Sequence, residues 1–326
     1  MQNKILKIMV FSFVVFLGIF IIFSLKREPT NTTQDFKEQN VIKSYNISIP
    51  SGYLSYENVV NQINKWNKEA PEITEVGVYG KSSAQKEIYY IRVCGDKNKN
   101  LPKVLIMACI HGNEKIANAT VMGVLGKILN NYGKDDKVTK LLLERDIYFV
   151  PIVSPDSFVN NTRHVDGVDP NRNFPYKLNP NVKSVPPIAA LREFFIKHKF
   201  SAVISTHAYS RLYIYPYGYT ASPCPDINKY KDLCGRMASL ARYQIKQIHE
   251  IQTAQPYRGF EADWFYENGA FAIVAEVGLE FIPPESTIIG EVERNYDAYL
   301  LFVNEAPNML KWKKACIIHA FLVIVD

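Results

Sequence analysis

Cysteine is scarce in this chain of 326 residues: Cys94, Cys109, Cys224, Cys234 and Cys316 are all there are, and none belongs to a Cys-x-x-Cys pair. That usage supports neither a thiolate zinc site nor a disulfide-dense scaffold. Cys224 and Cys234 are read as unpaired thiols, with a bridge between them as the alternative in an oxidising compartment. Dense basic runs are also missing. Lys plus Arg number 38 against 32 Asp plus Glu, a formal charge of +6, yet the longest basic run is only Lys311-Trp312-Lys313-Lys314. A nucleic-acid binder needs a denser stripe, so no nucleic-acid partner is expected. There is no internal repeat and no low-complexity block. With 47% hydrophobic and 21% charged residues, disordered and fibrous classes are excluded.

One long apolar run is present. Ile8–Leu25 carries no charge, lies behind Lys4 and Lys7, and is followed by Lys26-Arg27. Its length is close to the ~20 residues that cross a bilayer as a helix, and exceeds the apolar core of about 7–15 residues in a cleaved leader. A basic pair stands where small residues would mark a cut. Residues 1–27 are therefore expected to form an uncleaved signal anchor, with the body outside the cytoplasm, periplasmic or extracellular. A cleaved signal and a secreted body are the alternative. Residues 28–45, including the polar stretch Glu28–Asn40, read as a linker. Ala315–Val325 is apolar apart from His319 but too short to span a membrane, so residues 311–326 are expected to be a tail of no assigned role.

Residues 46–310 alternate apolar runs with helical patterns. Ser55 is placed to cap a helix over Tyr56–Ala70, with Val59, Ile63 and Trp66 on one face and Pro71 stopping it. Strands are expected over Ile88–Cys94, Val104–Ile110, Ile147–Val153, Ala202–Thr206 and Ala270–Ala275. Helices are expected over Ala117–Asn130, Ile188–His198, Asp226–Glu250 and Ile289–Leu310. Continuous apolar strands between helices imply one α/β domain whose mixed, largely parallel central sheet is covered by helices on both faces.

Sites in such sheets form beyond the carboxyl ends of the strands. His111-Gly112-Asn113-Glu114 follows the run 104–110, His207 follows 202–206, and Glu276 follows 270–275. The loop after 147–153 leads to Asp169-Pro170-Asn171-Arg172-Asn173-Phe174. Two histidines and two carboxylates thus converge on one sheet edge, and two histidines with a glutamate are an established ligand set for a catalytic zinc. Alone, each piece is ordinary: His-x-x-Glu is common by chance, and a histidine after a strand is usually a hydrogen-bonded structural residue. Their shared placement carries the inference. His164, His198, His249 and His319 have no comparable setting.

The chain resembles the zinc carboxypeptidase family, the metallocarboxypeptidases related to pancreatic carboxypeptidase A. The resemblance rests on His111-x-x-Glu114, on Gly167–Pro175, on Ser205-Thr206-His207-Ala208-Tyr209-Ser210, on Tyr215-Pro216-Tyr217-Gly218-Tyr219 and on Glu276. It spans about residues 46–310. It implies the zinc carboxypeptidase fold and one zinc ion held by His111, Glu114 and His207. It implies that Asn171 and Arg172 grip the free carboxylate of a peptide substrate, the arginine through a bidentate fork. By the same resemblance Arg163 steadies the oxyanion, Tyr257 closes over substrate and Glu276 is the general base, with Glu280 as a lesser candidate. The activity implied is removal of a C-terminal residue from peptides, cell-wall peptides being one candidate substrate; with the N-terminal run as anchor, a membrane-tethered monomer is expected.

Departures keep a second reading open. Asn113 stands where animal members have arginine, and His-Gly-Asn-Glu resembles aspartoacylase-like N-acyl amino acid deacylases and murein-peptide amidases of the same fold. Ala275-Glu276-Val277-Gly278 resembles the deacylases as well. Glu261 or Asp263 would suit a basic side chain or a diaminopimelate amine, or else is a surface charge or a structural hydrogen-bond partner.

Overall fold

The computed structural model describes residues 42–251 and 258–310. The expected anchor (1–27), most of the linker, Tyr257 and the tail (311–326) lie outside the described residues. Among those described, no helix is long and apolar enough to cross a membrane.

Four strands that are buried nearly throughout form the middle of an eight-stranded sheet: β3 (Lys103–Ala108), β4 (Asp146–Val150), β5 (Ala202–His207) and β8 (Phe271–Glu276). They run parallel in the order β4-β3-β5-β8. On one side the sheet continues antiparallel through β2 (Glu87–Val93) to the edge strand β1 (Thr74–Lys81). On the other, β6 (Leu212–Tyr215) pairs antiparallel with β8, and β7 (Gln244–Gln247) closes the edge parallel to β6. A strand buried on both faces has no polar face to alternate with, which is why these segments are continuous apolar runs.

Helices cover both faces. One core contains Val104, Ile106, Ile204 and Ile273 from the sheet, packed with α1 (Tyr56–Glu69), α2 (Lys115–Asn131), α3 (Asp136–Glu144), α6 (Ile227–Ala241) and α8 (Ile288–Glu305). The other contains Leu105, Met107, Val203 and Val274 with α5 (Pro186–His198) and α7 (Glu261–Glu267). A short helix, α4 (Pro155–Val159), follows β4. The mixed, mainly parallel sheet between two helical layers is the architecture the sequence pattern implies. Ser55 caps α1 by accepting from the Asn58 backbone N–H at 3.2 Å, and Val59, Ile63 and Trp66 form its buried face.

The helix expected over Asp226–Glu250 is corrected. α6 stops at Ala241 because Arg242 turns left-handed (φ 57°), and the Gln244 N–H bonds to the Arg211 carbonyl at 3.1 Å to start β7. Tyr243 fixes that turn: it is buried, and its hydroxyl bonds Glu291 and accepts from Asn295 on α8. β1 escaped the periodicity argument because its burial does not alternate and Gly77 and Gly80 interrupt it. Cys94, Cys109, Cys224 and Cys234 are all free and buried, with no bridge between Cys224 and Cys234.

Candidate metal centre and active-site cavity

The parallel strands end at one edge, and the candidate residues collect there. β3 leads into a turn in which Cys109 takes φ 54° and His111 enters the site. Gly112 allows this turn, since a β-carbon on it would lie 2.0 Å from the Ser157 backbone of α4. Glu114 stands directly before α2, whose first residue is Lys115. His207 is the last residue of β5, Glu276 the last of β8, and the two are register partners.

Glu114 lies between the histidines, its Oε1 2.8 Å from His111 Nδ1 and its Oε2 2.9 Å from His207 Nδ1. Oε2 also accepts from the Ala208 backbone N–H at 3.2 Å. One ligand atom from each of these three buried residues lies within 4.8 Å of the others, so together they could hold one metal ion. Each histidine directs Nδ1 at this shared point and sets its other nitrogen against a carboxylate. His111 Nε2 is 3.0 Å from Asp169 Oδ1, and His207 Nε2 is 2.6 Å from Glu261 Oε1. Carboxylate–histidine–metal chains of this kind are characteristic of zinc sites, so the donor set fits zinc.

Burial works against charge on Glu114, yet the two histidines hold it below the usual carboxylate range. Burial also opposes charge on His207, but Glu114 and Glu261 raise its pKa well above that of an ordinary imidazole. Glu276 is different. Burial pushes it up to about 7, with His207 opposing the rise and the Glu114 charge adding to it. Two carboxylates of one site, held apart in acidity by their surroundings, are suited to separate duties as ligand and proton carrier.

A cavity of about 250 Å³ opens over these groups. Arg163, Asn171, Arg172 and Glu276 line it together with the histidines, and Tyr209, Ile248 and Phe281 give it apolar wall. Arg163 makes a forked pair with Asp169 Oδ2, at 3.1 Å from Nε and 2.9 Å from the terminal nitrogen. Asp169 also accepts from the Asn171 N–H at 2.9 Å, shaping the turn Pro170–Arg172. Asn171 is held at both ends of its side chain by Glu261, whose N–H it accepts at 3.0 Å and to whose Oε1 it donates at 3.2 Å.

The structure thus brings His111, Glu114, His207, Glu276, Arg163, Asn171 and Arg172 to one cavity, whereas Tyr257 lies outside the described residues. Glu261 and Asp263 are buried, at 0% and 3% exposure, so neither is a surface charge. Asp263 accepts the backbone N–H groups of Gly218 and Tyr219 and so fixes the turn after Tyr215-Pro216-Tyr217. Sequence reasoning assigned no role to Asp169. The one available signal was its place two residues before Asn171, with Pro170 between.

A family model described as zinc carboxypeptidase matches residues 59–298. Carboxypeptidase A4 of Mus musculus is 26% identical over 284 residues, covering 75% of this chain and 68% of that protein. Carboxypeptidase A1 of Mus musculus is 29% identical over 245 residues, 63% of this chain and 58% of that protein. Among solved structures, thrombin activatable fibrinolysis inhibitor superposes with a TM-score of 0.73 at 22% identity, covering 79% of this chain and 75% of that one. Carboxypeptidase A from Helicoverpa armigera superposes with a TM-score of 0.70 at 16% identity, covering 79% and 74%. At such identities the structural likeness concerns the fold.

Proposed function

This chain belongs to the zinc carboxypeptidase family, and from that premise we propose how its residues divide the work of a zinc metallocarboxypeptidase that hydrolyses the C-terminal peptide bond. One observation carries the reading: the His111–Glu114–His207 trio, the base candidate Glu276 and the anion-binding candidate Arg172 border the same cavity.

His111, Glu114 and His207 would hold the zinc, which when bound would supply a Lewis acid and a water nucleophilic near neutral pH. Arg172 and Asn171 take the terminal carboxylate, a planar anion that suits a guanidinium fork and admits only peptides with a free C-terminus. Glu276 accepts the proton of the attacking water and returns it to the leaving amine as the peptide C–N bond breaks. Arg163, held by Asp169, faces the negative charge that develops on the former carbonyl oxygen. Tyr257 is proposed, from the family resemblance alone, as a further substrate-binding residue.

The catalytic body is residues 46–310, and residues 1–27 anchor it outside the cytoplasm, a reading supported by the uncharged run Ile8–Leu25. Membrane fractionation of the full chain with protease protection tests this. Release of the body into the soluble fraction would favour a cleaved signal.

The activity is tested on purified zinc-loaded protein with free and amidated peptides, a γ-D-glutamyl-diaminopimelate peptide and N-acyl amino acids, with products identified by mass. Release of single residues from free C-termini only, lost with chelator, is expected. Cleavage confined to the acyl or murein substrates would move the protein to the deacylase or amidase branch.

A further inference from the structure

Glu261 is fully buried, and a buried carboxylate is costly unless it is paired. Its partners are a candidate metal ligand and a candidate substrate-binding residue. His207 Nε2 lies 2.6 Å from Glu261 Oε1, while Nδ1 of the same ring lies 2.9 Å from Glu114 Oε2. The imidazole is therefore strung between Glu114 and Glu261.

The same arrangement occurs a second time. His111 is strung between Glu114 and Asp169, at 2.8 and 3.0 Å. Asp169 comes from the turn before Pro170 and Glu261 from the first residue of α7, so the two carboxylates belong to separate segments. Asn171 joins them. Its backbone N–H donates to Asp169 Oδ1 at 2.9 Å, its side-chain amide donates to Glu261 Oε1 at 3.2 Å, and its side-chain oxygen accepts the Glu261 N–H at 3.0 Å.

We propose that Glu261 is a positioning residue: it orients His207 for zinc and, through Asn171, locks that histidine to the loop that receives the substrate carboxylate. An imidazole that donates from Nε2 to a carboxylate is fixed in the tautomer whose Nδ1 carries the lone pair, and it is a stronger donor to a metal. With Asp169 doing this for His111 and Glu261 for His207, both rings are set by carboxylates that Asn171 holds in place. The inference rests on His207 being a ligand, so the test includes that residue.

The zinc dissociation constant is measured by competition with a chromophoric chelator for the wild type, Glu261→Gln and His207→Ala, together with the visible absorption of the Co2+-substituted proteins and the melting temperature of the metal-free proteins. Glu261→Gln is expected to weaken zinc by about 10–100-fold and to shift the Co2+ bands, beyond any change in metal-free melting. Wild-type zinc affinity and an unshifted spectrum in Glu261→Gln, with His207→Ala impaired, would overturn the positioning role alone. Unchanged affinity in His207→Ala would overturn the ligand reading itself. Should Glu261→Gln not fold, Glu261→Asp keeps the charge but withdraws the carboxylate by one methylene. Weakened zinc in that variant supports the proposal, and wild-type affinity refutes it.

Discussion

Gly259 lies directly against Arg172: a β-carbon on Gly259 would stand 2.3 Å from the Arg172 carbonyl oxygen and 2.7 Å from its carbonyl carbon. Gly259 also takes φ +67°, and its carbonyl accepts the Phe174 N–H at 3.2 Å. The chain segment entering α7 thus presses on the loop that carries the carboxylate-binding candidates, and only glycine permits that distance and that backbone angle. Gly259→Ala is expected to destabilise the protein by about 1–3 kcal/mol and to raise KM for free-C-terminal peptides, since Arg172 must shift. Thermal melting and steady-state kinetics check it. An unchanged KM would mean that the loop absorbs the methyl group without moving Arg172.

Glu276→Gln keeps the size of the side chain and removes its ability to accept a proton. A drop in kcat of about 10²–10⁴-fold is expected, with zinc content unchanged, because Glu276 stands beyond the ligand trio. Turnover and metal content measured on the same preparation decide it. Retained activity would place the base elsewhere, with Glu280 next to be tested.

The same carboxyl sets a pH dependence. Burial pushes Glu276 up to about 7, and a nearby Arg163 charge pulls it down. A general base works only when ionised, so kcat/KM should rise with pH through this group's pKa and level off above it. A bound dication favours the ionised form, which puts the acid limb at or below pH 7. Arg163→Gln removes a positive charge and is expected to move the limb upward. A limb that stays in place would show that Arg163 does not act on the base.

Arg172→Ala removes a charged fork from the cavity. A hydrogen-bonded charge contributes about 1.5–3 kcal/mol, so kcat/KM for free-C-terminal peptides should fall by about 10–100-fold. The loss should appear mainly in KM, because the contact removed is with the substrate carboxylate. A loss confined to kcat would mean that Arg172 supports the loop instead of reading the C-terminus.

Asp263 supplies a stability test away from the metal ligands. Burial raises it from 3.8 to about 7, while the Gly218 and Tyr219 N–H groups limit the rise. Between these pH values the folded protein holds a proton that the unfolded chain has released, so stability falls as pH rises through the window, by about 1.4 kcal/mol per unit. Asp263→Asn should lack this contribution. Urea midpoints from pH 4 to 8 are expected to converge on those of the variant, or fall below them, as pH increases up to about 7. Parallel curves would show that Asp263 does not titrate in this range.

Local chemistry made much of the molecule legible in advance. Ser55, Val59, Ile63 and Trp66 announced α1 because capping and helical periodicity act within a few residues. The central strands were visible because burial on both faces leaves a run of apolar residues with nothing polar in it. β7 was hidden because Gln244–Gln247 has no such pattern. What makes it a strand is the left-handed turn at Arg242 and the anchoring of Tyr243 on α8, contacts between segments far apart in the chain.

The sequence by itself determined the type of chemistry: His111, Glu114, His207 and Glu276 stand at the ends of apolar runs, and strand ends in such sheets share one edge. Only the tertiary structure decided which groups surround them. Asp169 lies 58 residues from His111, and Glu261 lies 54 residues from His207. No spacing rule links such positions, because their approach depends on how α7 and the Pro170 turn pack against the finished sheet. Residue types report local propensity and chemistry, whereas the partner of a buried charge is chosen by the fold as a whole.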